Sequence, residues 1–522
     1  MLILQPTDDS TATKGPTPSP EQYAVAEWAV KGEGSALVEA VAGSGKTKVL
    51  LGVLPRTKGD VGFCAYNKAI VKELEVRSSP MQIGDRLNIG TVHSFGYKIL
   101  RSAYPRVELD GYKKLKKIAD SVVKNPYLRT FAINAASKAK QIGIGIFSNI
   151  DDTQAWNHMV DHFSLDLALP KFASLSDGIK EARAVLKESN RAIPKIIDFD
   201  DMVYGPVLLG LKSKQYDWVL LDEAQDTNPV RRKLIKMMLA PNGRLIAVGD
   251  SHQSINAYTG ADHNAMDLIA KEFNTINLPL TTTFRCPKLI VKEAQRWVPH
   301  IKAFDGAPDG IVDSLKLEDL LKNPNLNPSD AILCRVTKPL VELAFKLIKK
   351  GISCRVEGRA IGDGLIKLIN RWDCEEVSEL ESKVANWYIK AMAKARDDED
   401  YTKCDDIEDQ AETLRVLMEQ CKLDDPISVL IDKIKGLFGD SDSSKGQSIL
   451  TLSTVHRSKG KEWDHVYALG MNAYSPSKWA RKDWEIIQEN NLCYVQVTRA
   501  KEHLTYIEVP STRNRRRMVP QG

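Results

Sequence analysis

No CxxC pair occurs in the 522 residues; the eight cysteines (64, 286, 334, 354, 374, 404, 421 and 493) are scattered. That spacing gives little support to zinc or iron–sulfur ligation and favours reduced thiols in a cytosolic-type compartment. No apolar run approaches the roughly 20 residues that a membrane-spanning helix needs, and Val49–Leu54 is typical of those present. The amino-terminal stretch MLILQPTDDSTATKGPTPSPEQ is polar and Pro/Thr-rich after its opening residues, without an apolar core of signal-peptide length. A large charge excess is missing too: Lys+Arg 73 against Asp+Glu 68 leaves +5. This balance permits a nucleic-acid partner through a local basic groove without demanding one. With 43% hydrophobic and 27% charged residues, collagen-like, disordered and coiled-coil descriptions of the whole are excluded. The length predicts about three or four compact units.

What is present is an alternation of short apolar runs with helical patterns. Ser35–Ala40, Val61–Tyr66, Leu87–Val92, Trp218–Leu221 and Arg244–Val248 read as buried strands. A second series follows at Ala331–Arg335, Ser353–Val356, Ser448–Thr454, His465–Leu469 and Leu504–Val509. Helices between such strands argue for parallel sheets covered on both faces, so two α/β cores are the simplest reading. Residues 101–195 and about 366–445 carry helical spacing instead. The second of these includes an acidic stretch, Arg396–Glu412, which reads as a solvated face or, less simply, as a device repelling a nucleic-acid strand. The tail Arg513–Arg517 (RNRRR) can touch phosphate or stay solvated.

The strongest chemical signal is Ala40–Thr47, AVAGSGKT, after an apolar strand and before the helical run TKVLLGVL. A Gly-rich turn there aims backbone N–H groups and a helix amino terminus at phosphate oxygens. Lys46 would reach the β/γ-phosphates and the Thr47 hydroxyl would ligate Mg²⁺. Ala40 stands where the strict pattern has Gly, so the match rests on Gly43, Gly45, Lys46 and Thr47; a purely structural glycine turn is the alternative. Trp218–Asp226, WVLLDEAQD, is a buried strand ending in two carboxylates. Asp222 would hold Mg²⁺, and Glu223 would orient and deprotonate the attacking water; a helix-start signal is the alternative. Val248–Asp250 with Gln253 is a third strand end with polar groups, and in a doubly wound sheet such ends open onto one crevice.

Together these segments resemble the UvrD/Rep/PcrA-type DNA helicases of superfamily 1, closer to the F-box-type and phage relatives, with a shortened second insert. The resemblance implies two RecA-like parallel-sheet P-loop cores, each interrupted by a mainly helical inserted subdomain. Its boundaries would be a disordered tail at 1–20, a first ATP-binding core at 21–100 and 196–280 with a helical insert at 101–195. A second core would span 281–365 and 446–510, with a short helical insert at 366–445 and a basic tail at 511–522. It implies ATP and Mg²⁺ as cofactors, held by Gln22 on adenine and by Ala42, Gly43, Ser44, Gly45, Lys46, Thr47 and Lys48, with Thr47 and Asp222 on the metal.

From LTTTFRCP (Leu280–Pro287) the likeness implies Phe284 stacking on adenine and Arg285 at the γ-phosphate. From STVHRSKGKEWDHV (Ser453–Val466) and NNLCYVQVTRA (Asn491–Ala500), Glu462 would face the nucleotide and Arg499 would be the second arginine finger. Lys46, Glu223, Gln253 (the γ-phosphate sensor), Arg285 and Arg499 form the implied catalytic set. FCAYNKA, GTVHSF and VGDSHQSINAYTGA look like segments that contact single-stranded DNA. Tyr66, Phe95 and Tyr258 would then stack on bases, with Asn67, Thr91, His93 and His456 as polar contacts; Phe95 as core, His93 as a buried histidine and Trp463 as packing stay open. Ala65, Asn256 and Thr259 depart from the residues common there. The implied activity is ATP-dependent 3′→5′ translocation and unwinding in replication, repair or recombination, by a monomer in the cytoplasm, or the nucleus of a eukaryote. Two alternatives stand beside it: a translocase that strips proteins from single strands, and an ATP-switched subunit of a nuclease or defence complex.

Overall fold

In this computed structural model the described residues are 17–510, apart from 112, 164, 166–168, 171, 256–263, 323–325, 398–400 and 440–448. The chain divides into two compact units, Met1–Thr281 and Thr282–Gly522.

The main sheet of the first unit has, among the described residues, six strands: β1 (Ser35–Ala40), β2 (Val61–Ala65), β3 (Leu87–Thr91), β4 (Tyr216–Leu221), β5 (Leu239–Gly249) and β6 (Thr275–Leu280). They lie in the order β3-β2-β4-β5-β1-β6 with every pairing parallel. Side chains of a strand alternate between faces, and here both faces are apolar. Leu37, Cys64, Val219, Leu221, Leu245 and Ala247 point to one core, whereas Ala36, Val38, Phe63, Leu220, Ile246 and Val248 point to the other. This is why the central strands read as unbroken apolar runs.

Between β3 and β4 the chain forms helices Val92–Ala103, Lys114–Val122, Arg129–Ile142, Thr153–His162, Leu175–Ala192 and Asp201–Leu208. Helix Arg129–Ile142 lays Ala132, Ala135, Ala136 and Ala139, all fully buried, into the core shared with Ala182, Val185 and Leu186 of helix Leu175–Ala192. An ionic cluster is buried beside them. Lys140 Nζ lies 2.6 Å from Asp198 and 2.7 Å from Asp201, and Lys114 Nζ lies 2.6 Å from Asp201. Helix Val92–Ala103 meets helix Asp201–Leu208 at Gly96, where an added Cβ would stand 1.8 Å from the Met202 carbonyl oxygen.

The main sheet of the second unit has, among the described residues, seven strands: β7 (Ile311–Lys316), β8 (Ala331–Cys334), β9 (Cys354–Glu357), β10 (Phe438–Gly439), β11 (Leu450–Thr454), β12 (Trp463–Leu469) and β13 (Ala500–Glu508). Their order is β7-β13-β12-β8-β11-β9-β10, again all parallel. Helices Arg359–Ile369, Val377–Asp397, Tyr401–Met418 and Ile427–Leu437 fill the stretch between β9 and β10.

Several sequence expectations need correction. Ser19 and Pro20 are not tail: Ser19 is buried and caps helix Pro20–Lys31, its Oγ accepting from Gln22 N. The rest of the 1–20 tail and the 511–522 basic tail lie outside the described residues, except for 17 and 18. β6 and β7 were not expected from the sequence. Nor is the acidic stretch merely a solvated face. Asp405, Asp409 and Glu412 recur at helical spacing and face partners: Asp405 pairs with Arg335 at 2.9 Å, Asp409 accepts from Thr337 N and Lys338 N, and Glu412 pairs with Lys338 at 3.1 Å.

Candidate nucleotide site and strand-contact residues

Because the strands of the first sheet are parallel, the residues after β1, β2, β4 and β5 emerge at one edge. The turn after β1 needs left-handed backbone at Gly43 (φ 73°) and Gly45 (φ 82°), a region that costs side-chain-bearing residues about 1–2 kcal/mol. A Cβ at Gly45 would also stand 3.0 Å from Gln22 Nε2. That amide donates to the Ser44 carbonyl at 2.8 Å, so the buried Gln22 braces the turn from helix Pro20–Lys31. Ala42 is buried and Lys48 is exposed. The buried Ser44 hydroxyl finds no hydrogen-bond partner among the described residues.

Helix Lys46–Val53 begins at the turn and presents two side chains to the end of β4. Thr47 Oγ1 donates to Asp222 Oδ2 at 2.9 Å, and Lys46 Nζ donates to Glu223 Oε2 at 3.2 Å. Burial alone would discharge the Lys46 ammonium, but Glu223, Asp250 and Asp222 outweigh it and raise its pKa. Burial, and then the like charge of Glu223, push Asp222 up to about 6. Two hard oxygen donors side by side, with an ammonium and an orphaned hydroxyl at a helix amino terminus, fit Mg²⁺ on Thr47 and Asp222 and a phosphate chain on the turn.

Behind these groups runs a hydrogen-bonded chain that sequence reasoning missed. Gln225 Nε2 donates to Glu223 Oε2, and Gln225 Oε1 accepts from Asp250 N at 3.0 Å. Asp250 in turn accepts from Gln253 Nε2 at 2.7 Å. Glu223 itself is held at φ 51°, left-handed backbone for a residue with a side chain. The signal for Gln225 was in the DEAQD run, but its partner Asp250 is 25 residues away.

Beside this edge opens a cavity of about 310 Å³ walled by Tyr66, His93, Asp222, Glu223, Asp226 and Arg231. Tyr66 is exposed. Burial, reinforced by the Arg231 cation, lowers His93 to about 4, so it is neutral at physiological pH. Arg231, which the sequence did not single out, donates from Nη1 to the Asp226 carbonyl at 2.8 Å.

The other strand-contact candidates divide. Asn67 and Thr91 serve as amino-terminal caps, accepting from Ile70 N at 2.9 Å and Ser94 N at 3.1 Å. Phe95 is a correction. At 3% exposure, and edge-on to Tyr216 with ring centroids 5.8 Å apart, it is a core residue, because Val92, Phe95, Ile99 and Leu100 share the buried face of their helix. Tyr258 lies outside the described residues, with Asn256 and Thr259.

In the second unit Arg285 and Glu462 come together, Nε to Oε2 at 2.5 Å, and Arg285 Nη1 donates to the Thr498 carbonyl at 3.3 Å. Arg499 is fully buried and donates to the carbonyls of Val495 and Lys461, each at 3.1 Å. Phe284 stacks on Phe304 with centroids 5.8 Å apart. His456 is lowered to about 3 by burial and by Arg335. Trp463 is half-buried at the start of β12. Among the described residues no helix is long and apolar enough to cross a membrane.

Comparison with known proteins adds the family. The UvrD/REP helicase N-terminal domain matches residues 20–274 and the UvrD-like helicase C-terminal domain matches residues 314–510. F-box DNA helicase protein 1 of Schizosaccharomyces pombe is 25% identical over 97% of this chain and 58% of that protein. ATP-dependent DNA helicase Rep of Escherichia coli is 21% identical over 91% of this chain and 88% of its own length. Rep of Buchnera aphidicola from Acyrthosiphon pisum is 28% identical over 51% of this chain and 43% of that protein. The chain thus spans about half the length of the first of these relatives and of the Buchnera protein. Two matched domains in the family's order, over a pair of parallel sheets of which the first carries the phosphate turn, make this chain a member of the UvrD-like helicase family.

Proposed function

We propose that the protein is an ATP-dependent DNA helicase that moves 3′→5′ along single-stranded DNA and opens duplex at single-strand junctions. The observation that carries this reading is the meeting of Lys46 and Thr47 with Glu223 and Asp222 at one sheet edge, beside a cavity walled by Tyr66 and His93. Lys46 binds the terminal phosphates, Gln22 reads the adenine, and Glu223 takes the proton of the attacking water. Mg²⁺, when bound at Thr47 and Asp222, neutralises charge developing on the phosphates. Phe284, Arg285, Glu462 and Arg499 keep the nucleotide roles that the family resemblance gives them, and His456 its place near the strand. Tyr66 supplies a face for base stacking, worth about 1–3 kcal/mol per base.

The test is ATP hydrolysis measured without polymer and with single-stranded DNA, duplex DNA and RNA, in the wild type and in K46A. Hydrolysis stimulated most by single-stranded DNA and abolished in K46A is expected. Wild-type turnover by K46A would show that the phosphate turn is misassigned. Unwinding of 3′-tailed but not 5′-tailed duplexes is expected, and the reverse preference overturns the polarity.

A further inference from the structure

Gln225 is buried at 1% exposure between the ends of β4 and β5. Its amide orientation follows from its partners. The backbone N–H of Asp250 can only donate, so the group 3.0 Å from it must be Oε1, and Nε2 is thereby turned onto the Glu223 carboxylate. The neighbouring strand makes room for this. Gly249 closes β5, and a Cβ there would stand 2.6 Å from Gln225 Oε1 and 2.7 Å from Met266 Sδ. Glu223 meanwhile sits in left-handed backbone, a conformation that persists only where its surroundings over-determine it.

We infer that Gln225 is a positioning residue for ATP hydrolysis: its amide fixes the Glu223 carboxylate and ties it, through Asp250, to Gln253. The inference rests on the ATPase reading above and deepens it. One amide thereby joins the base to the sensor glutamine, whose own Nε2 is 2.7 Å from Asp250 Oδ2. A shift of Gln253 is passed to Glu223 through three hydrogen bonds, the middle one donated by the Asp250 backbone N–H. A catalytic group displaced by about 1 Å loses about 10²-fold in rate, which sets the expected scale.

Gln225→Glu tests the positioning. It keeps the size of the side chain and the oxygen that accepts from Asp250 N, but removes the donor and sets a second carboxylate against Glu223. That charge alone can slow the reaction, so Gln225→Met, which keeps the bulk and adds no charge, decides: if Gln225 only fills space, it behaves as wild type. If it positions Glu223, kcat for single-stranded-DNA-stimulated ATP hydrolysis falls about 10²-fold in Gln225→Met as in Q225E, while KM for ATP stays within about twofold. Gly249→Ala, which leaves the amide intact but crowds it, should lower kcat in the same way. Binding of a fluorescent ATP analogue reports that each variant is folded. Wild-type kcat in Gln225→Met or Gly249→Ala would overturn the inference. A wild-type protein that hydrolyses no ATP would instead sink the ATPase reading.

Discussion

Replacing Lys140 by methionine removes one corner of the buried ionic cluster, and the structure sets the expected loss. Lys114 and Lys140 face Asp198 and Asp201, so charge is balanced, and all four side chains are between 0% and 6% exposed. Lys140 Nζ donates to Asp198 Oδ2 at 2.6 Å and stands 2.7 Å from Asp201 Oδ1 without hydrogen-bond alignment. K140M therefore deletes one charged hydrogen bond, worth about 1.5–3 kcal/mol, and strands one negative charge in the interior. Removing one partner of a buried pair typically costs about 3–5 kcal/mol. At about 2–4 °C per kcal/mol for a unit of this size, the first unit should melt about 6–20 °C lower. Burial already pushes the Asp198 carboxyl up to about 6 against the pull of Lys140, so neutralising it is cheap. Adding Asp198→Asn to K140M should thus restore most of the loss in urea and thermal unfolding. A cost below about 1 kcal/mol for K140M, or a second substitution that deepens the loss, would refute the reasoning.

Two aromatic candidates should separate by assay: Phe95→Ala should cost about 3–5 kcal/mol of stability, whereas Tyr66→Ala should spare unfolding yet weaken oligothymidylate binding by about 1–3 kcal/mol. Equal stability loss in both would contradict the difference in their burial. His456 gives a pH dependence. Its folded pKa of about 3 lies below the unfolded value, so the unfolded chain binds the extra proton and stability present above pH ~6.5 is lost as pH falls toward 3. Between pH 7 and 5 this amounts to about 2 kcal/mol, which urea titrations should find in the wild type and not in His456→Gln.

How much the sequence told varied with the range of the interaction. The phosphate turn was legible because Gly43, Gly45, Lys46 and Thr47 act within a few residues. The central strands were legible because both faces are buried. β6 and β7 were not, because each lies at a sheet edge with much of its length exposed, and β6 also contains Pro279, which an edge tolerates. Phe95 misled because a motif position does not reveal which face of a helix it occupies. The acidic residues 405, 409 and 412 misled because charge runs say nothing of a cationic partner such as Arg335 far along the chain. Gln225 escaped because its meaning depends on β4 and β5 lying side by side, a fact of topology rather than spacing.

The close approach at Gly96 has a broader consequence. The chain leaves the first sheet and comes back to it through two helices that touch backbone to side-chain-free backbone, a pinched neck, while helix Arg129–Ile142 between them packs into the same core as Leu37 and Val219 of the sheet. A segment whose ends already meet adds little closure entropy when it grows or shrinks. The loops strung between its helices can therefore be lengthened or trimmed while the sheet beneath keeps its register, provided the neck keeps its glycine.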